Sequence, residues 1–202
     1  MIRHIAIHGL AGTGKDTSAN FLTEQHGYLK VAIADVLRAY LEEINPLVVR
    51  ERDARVVPLQ VLLAECGGNW DTAKRANPHV RETLKKHGQG ARDVFGDDFW
   101  VNRFVWAYDF LIEEHFPGEE PHTVITDLRY ENELTVLRHR FPEILTVKII
   151  RPGHSPDGHP SEAGLPDEVF DAVVENDGTV SDLYRSLAMI LSIHNAAEEV
   201  AV

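Results

Sequence analysis

The sequence predicts an α/β fold built on a parallel sheet, and two observations carry that reading. Short apolar runs alternate with longer helical patterns along the 202 residues, an order that lays strands side by side with helices on their faces. The first apolar run passes directly into a glycine-rich turn and then a helical pattern, as in a phosphate-binding loop. With 44% hydrophobic residues, the chain fits one domain with a substantial core and room for a lid or inserted subregion.

The opening stretch, residues 2–8, is apolar, short and continuous with the glycine turn. It therefore reads as a buried first strand and not as a signal peptide. Further strands are expected at 29–34, 122–126, 146–150 and 170–175, each followed by a charged or polar turn. Helical patterns fall at 14–25, 36–43, 58–65, 78–87, 98–114, 131–140 and 181–195. Between about 45 and 97 there are helix signals but no convincing strand, so this region reads as a helical excursion from the sheet. A second irregular stretch, "RPGHSPDGHPSEAGLPDE" at 151–168, is rich in Gly and Pro and sits between two strand candidates. Loops of that length inside a compact domain are commonly lids or binding loops.

Charge and cysteine content narrow the function. A formal net charge of -12 opposes binding to extended nucleic acid, whose phosphates require a basic face. An anionic substrate must then meet a local basic pocket. The stretch from Thr72 to Arg103 supplies one candidate, with seven basic residues against four acidic ones, whereas from Pro166 onward eight acidic residues accompany Arg185 alone. That acidic surface reads as solvated. No run approaches the roughly 18 apolar residues of a membrane span. The single cysteine, Cys66, excludes an internal disulfide framework and a four-thiolate zinc site, and points to a reducing, cytoplasmic setting.

"GLAGTGKDT", from Gly9 to Thr17, supplies the clearest chemistry. Gly9, Gly12 and Gly14 permit a backbone whose N–H groups point inward, and the following helix directs its positive dipole end to the same place. Lys15 adds a full charge. Asp16 stands where Ser or Thr usually supplies a magnesium ligand, with Thr17 next. The motif alone is shared by kinases, GTPases and motor ATPases, but the chain has no Asn-Lys-x-Asp guanine motif. "HTVITDLRYENE" places Asp127 at the end of an apolar strand, at the sheet edge where open α/β sheets bind ligands. There Asp127 would hold magnesium through water, orient a substrate group, or simply cap the next helix, and Arg129 would grip a phosphoryl oxygen. Arg38, Arg81, Arg92 and Arg151 are further candidates for phosphate charge. In the loop at 151–168, His154, Asp157, His159 and Glu162 are closely spaced, but they fit a polar lid better than a closed zinc site.

Taken in order, "GLAGTGKDT", "GQGARDVFGDDFWV" (88–101), "ITDLRYENE" (125–133), and "DGHPSE" followed by "VVENDGTVSDL" make the chain resemble the phage-type deoxynucleoside monophosphate kinases. These fall within the larger group similar to adenylate kinase and dephospho-coenzyme A kinase. The resemblance implies a P-loop kinase fold: a five-stranded parallel sheet flanked by helices, a helical acceptor-binding region at about 45–97 and a lid at about 151–168, all in one domain over 1–202. It implies ATP on Gly12, Thr13, Gly14, Lys15, Asp16 and Thr17, with Asn176 and Gly178 packed against the adenine. Arg92, Arg129 and Arg38 match acceptor-phosphate positions, and Gln89 is a candidate for the acceptor base.

The reaction so implied is ATP- and magnesium-dependent phosphorylation of a deoxynucleoside monophosphate to the diphosphate. Lys15, Arg129 and Arg151 would stabilise charge, Arg38, Arg81, Gln89, Arg92 and Asp127 would hold the acceptor, and Asp16 and Thr17 would approach the metal. Partners are then small nucleotides, with no extended nucleic acid and no membrane; a homodimer is compatible with the sequence. The setting is cytoplasmic, the host's cytoplasm for a phage-encoded chain. The lid departs from the adenylate kinases in having Arg151 and then no arginine before Arg185. Two rivals are a kinase acting on a hydroxyl acceptor such as dephospho-coenzyme A, and a regulatory module that binds ATP without transferring phosphate.

Overall fold

A computed structural model describes residues 2–154 and 164–200. Its elements run in the order β1 (His4–His8), α1 (Lys15–His26), β2 (Leu29–Ala32), α2 (Asp35–Ile44), β3 (Leu47–Val49), β4 (Val56–Pro58), α3 (Leu59–Glu65), α4 (Trp70–Ala76), α5 (Pro78–Phe95), α6 (Phe99–His115), β5 (Thr123–Leu128), α7 (Glu131–Arg140), β6 (Leu145–Ile150), a 3-10 turn at Asp167–Val169, β7 (Ala172–Glu175) and α8 (Val180–Val200). The chain divides into two compact units, one holding the residues up to Ile33 and from Val105 onward, the other Ala34–Phe104.

The first unit carries the sheet. Its five strands lie in the order β2-β5-β1-β6-β7, and each neighbouring pair is parallel. All five residues of β1 are buried, as a central strand covered on both faces requires. Ile5, Ile7, Val124, Val147 and Ile149 from the sheet pack with Leu22 of α1 and Leu183, Leu187 and Leu191 of α8. The chain leaves β1 toward β2 on one side and leaves β6 toward β7 on the other. The carboxyl ends of these two adjacent strands therefore flank a topological switch point, where open sheets bind ligands.

Strand limits shift for identifiable reasons. β2 stops at Ala32, short of the expected 34, because the Ile33 N–H is taken by the Asp127 carboxylate at 2.9 Å instead of by a strand. β5 runs on to Leu128 through an irregularity at Asp127. β7 begins at Ala172, after Asp171 has turned its carboxylate onto the backbone N–H and hydroxyl of Thr146.

In the second unit the expectation of no strand between about 45 and 97 is corrected. β3 and β4 form an antiparallel hairpin. Each strand is only three residues long, too short to show alternation in sequence. Its turn is closed by the Arg50 N–H on the Arg55 carbonyl at 2.7 Å and by Arg50 on the Asp53 carboxylate, with Ala54 in the left-handed region at φ 56°. Val48 packs with Leu41, Leu59, Leu62, Leu63, Ala73 and Val80 in a separate core, against which half-buried Cys66 also lies.

The helix α5 was expected to stop near His87, before Gly88 and Gly90, yet it continues to Phe95. A methyl group on Gly88 would lie 3.3 Å from Leu37, so the small residue serves close packing there and does not mark a break. Gly96 ends the helix by donating its N–H to the Arg92 carbonyl at 2.8 Å. Among the described residues no helix is long and apolar enough to cross a membrane.

Candidate active site

At the end of β1 the chain turns through the glycine loop into α1. A Cβ on Gly9 would meet the Ile149 carbonyl at 2.5 Å and Thr13 Oγ1 at 2.6 Å, so only glycine lets the loop leave the strand there. At the other end, Gly14 caps α1 with φ 110°, and a Cβ would lie 2.7 Å from Asn176 Nδ2. Inside the loop, three donors converge on the Leu10 carbonyl: the Thr13 N–H at 3.3 Å, Thr13 Oγ1 at 2.9 Å and Lys15 Nζ at 2.6 Å. Thr13 and Lys15 are both buried. The loop thus holds its lysine close to the anion-binding end of the helix.

Asp16 and Thr17 stand in the first turn of α1. Asp16 is 77% exposed on its side chain and lies 3.8 Å from Lys30 Nζ, and Thr17 is half-buried. The helix has Gly14 as its cap and no side-chain capping bond, so Asp16 does not cap it. Its carboxylate still suits the positive end of the helix dipole.

Asn176, at the end of β7, is buried and donates from Nδ2 to the Thr13 carbonyl at 2.8 Å. The amide therefore braces the glycine loop from a strand 163 residues away in sequence. Gly178 lies just before α8, whose Asp182 accepts from the Thr179 N–H at 3.0 Å and the Thr179 hydroxyl at 2.7 Å.

Asp127 sits on β5 with φ 68°, a left-handed conformation that costs a non-glycine residue energy and clusters at functional positions. It is not the cap of α7, a position held by Tyr130. The next functional candidate, Arg129, is half-buried, and its N–H donates to Glu133 Oε2 at 2.8 Å. Glu133 also accepts from the Tyr130 N–H at 3.0 Å and is itself buried. This carboxylate fixes the backbone on which Arg129 is mounted.

Between β1 and β6, at the switch point, lies a cavity of about 380 Å³. His8, Gly9, Thr13, Lys148, Arg151 and His154 contribute to its walls. Lys148 is held there by the Leu165 carbonyl and by Asp167 at 2.7 Å. Arg151 and His154 are exposed, and a Cβ on Gly12 would come within 3.0 Å of His154 Nε2. The root of the expected lid thus reaches the glycine loop. Of the rest of that loop, Asp157, His159 and Glu162, with the "DGHPSE" stretch, lie outside the described residues. Among the described residues no group of three or more His, Cys, Asp or Glu is placed to hold a metal ion.

His8 and Lys148 were not anticipated. Burial holds the His8 imidazole down to about 4, with Lys148, Lys15 and Arg129 acting in the same direction, so the ring is neutral at physiological pH. A histidine ending an apolar strand carries no distinctive sequence pattern.

The remaining expected residues belong to the second unit. Arg38 donates from Nη1 to Asp35 at 2.6 Å, while its buried Nε has no hydrogen-bond partner. Arg81 is exposed on α5. Gln89 donates to Asp93 at 2.7 Å along the same helix. Arg92 is buried, with Nη2 3.5 Å from the Asp97 carboxylate. A guanidinium so placed depends on anionic partners.

With this geometry in view, residues 91–187 match the sequence model of the family described as deoxynucleotide monophosphate kinase. The chain is 25% identical over 202 residues to a protein of Acanthamoeba polyphaga mimivirus whose name marks it as a candidate deoxynucleotide monophosphate kinase, covering 96% of this chain and 97% of that one. It is also 33% identical over 100 residues to the deoxynucleotide monophosphate kinase of Escherichia phage RB69, covering 49% of this chain and 38% of the phage protein. The match thus spans well under half of the phage protein. Among solved structures, a sugar kinase from Janibacter sp. HTCC2649 aligns with a TM-score of 0.49 and 15% identity over 97% of this chain and 98% of that one.

Proposed function

We infer, from the similarity of this chain to deoxynucleotide monophosphate kinases, that it transfers the γ-phosphoryl group of ATP to the 5′-phosphate of a deoxynucleoside monophosphate. The observation that carries this reading is the combination, in one chain, of a glycine loop with a buried lysine at its mouth and the family match over 91–187.

The loop backbone and the amino end of α1 receive the ATP phosphates, and Lys15 exchanges the Leu10 carbonyl for a phosphate oxygen. Arg129 and Arg151 neutralise charge that spreads over the transferred group. The acceptor nucleotide falls to Arg38, Arg81, Gln89 and Arg92, with Asp127 orienting it. No strong general base is required, because the acceptor oxygen is already anionic at neutral pH. Asn176 contributes by bracing Thr13, and the turn at Gly178 is assigned to the adenine. Asp16 and Thr17 are the residues that would hold Mg2+, which would supply positive charge to offset that of the phosphates.

The test is to incubate the purified protein with ATP and magnesium against a panel of deoxynucleoside and ribonucleoside monophosphates and dephospho-coenzyme A. Diphosphate formed from at least one deoxynucleotide is the expected result. ATP binding with no acceptor phosphorylated would sink the kinase reading, and phosphorylation of dephospho-coenzyme A alone would move the activity to a hydroxyl acceptor.

A further inference from the structure

The pairing between β1 and β5 contains an irregularity beside the site. Ala6 pairs with Ile125, but His8, two residues on, pairs with Leu128, three residues on. β5 therefore carries one extra residue opposite β1, a bulge of the kind that re-aims side chains next to active sites. Asp127, with φ 68°, lies within it.

Such a bulge loses regular ladder bonds and has to be held by other contacts. Toward β2, Asp127 Oδ1 accepts from the Ile33 N–H at 2.9 Å. Toward α7, Glu133 takes the N–H of Arg129. Toward β1, His8 Nδ1 lies 2.8 Å from the Leu128 carbonyl. A carbonyl oxygen only accepts, so Nδ1 of the neutral ring must carry the proton. The ring is 3% exposed and stacked on Phe170 at 5.1 Å, which fixes its direction. Its Nε2 is left with a lone pair.

We propose that His8 is a positioning residue: its Nδ1–H clamps the Leu128 carbonyl and so holds the bulge that sets Asp127 and Arg129 at the sheet edge. This rests on the reading that Asp127 and Arg129 act on the nucleotides. The clamp requires one donor at one place. Asparagine puts its amide nitrogen near the position of Nδ1, whereas glutamine puts it near Nε2, away from Leu128.

Steady-state kinetics on three variants test the clamp. His8→Asn should keep kcat within about threefold of the wild type, while His8→Gln and His8→Phe should lose roughly tenfold to a hundredfold, the scale expected when reacting groups are misplaced by about 1 Å. Equal turnover in His8→Asn and His8→Gln, or wild-type turnover in His8→Phe, overturns the clamp. Nitrogen-15 NMR of the wild-type ring gives a second readout that does not depend on the variants folding. A protonated Nδ1 and bare Nε2 at neutral pH are expected, and the opposite tautomer or an imidazolium overturns the proposal. Absence of any phosphoryl transfer by the wild type would instead strike the kinase reading on which it rests.

Discussion

At the residue scale the proposed chemistry centres on Lys15. Its ammonium is buried and already satisfied by the Leu10 carbonyl, so removing it empties the loop of its one full positive charge while leaving the sheet intact. Lys15→Ala should lower kcat by about 100-fold or more, the usual cost of deleting a preorganised charge, with little change in melting temperature. Turnover near wild type would remove Lys15 from the mechanism. Two histidines set a different residue-scale property. Burial holds both His4 and His8 at about 4 in the fold, against 6.5 for the free side chain. As pH falls below that ordinary value the unfolded chain takes up protons that the folded chain refuses, so stability present at neutral pH is lost toward the folded value. The melting temperature should therefore drop between neutral pH and about pH 5. His4→Phe, which keeps a ring against Phe141 and removes an unpartnered buried Nδ1, should flatten the slope. An unchanged slope would show that His4 does not contribute.

At the scale of elements, the turn from β5 into α7 carries most of the arrangement. Glu133 reaches back to the N–H groups of Arg129 and Tyr130, tying the start of the helix to the residue assigned to phosphate. Glu133→Ala leaves two donors without their acceptor and should cost about 1–3 kcal/mol, read from the denaturant midpoint, together with a fall in kcat. A loss of stability with kcat unchanged would separate the turn from the chemistry. The loop–helix unit around Lys15 was legible because strand, glycines and lysine are contiguous in the chain. Asp127 was placed correctly at the sheet edge for the same local reason. Its bulge was not legible, since it exists only as a count of residues on β5 against β1. The brace from Asn176 to Thr13 joins residues far apart in sequence, and the hairpin of β3 and β4 is too short for its alternation to register. What sequence reading missed is non-local pairing, and what it captured is contiguous.

For the whole molecule, the net charge of -12 is offset locally. Lys148 and Arg151 line the cavity at the switch point between β1 and β6, Lys15 bonds the carbonyl of Leu10, which also lines it, and the basic run from Lys74 to Arg103 belongs to the compact unit Ala34–Phe104. The proposed function requires such localisation, because a diffuse negative field opposes the approach of polyanionic nucleotides. In the proposed reaction the phosphoryl group moves from one nucleotide to the phosphate of another. Phosphorus-31 NMR of the wild-type protein with ATP, magnesium and a single accepted deoxynucleoside monophosphate measures this directly. The monophosphate signal should be replaced by the paired signals of the deoxynucleoside diphosphate, in step with conversion of ATP to ADP. Formation of ADP and inorganic phosphate with the monophosphate left intact would contradict it.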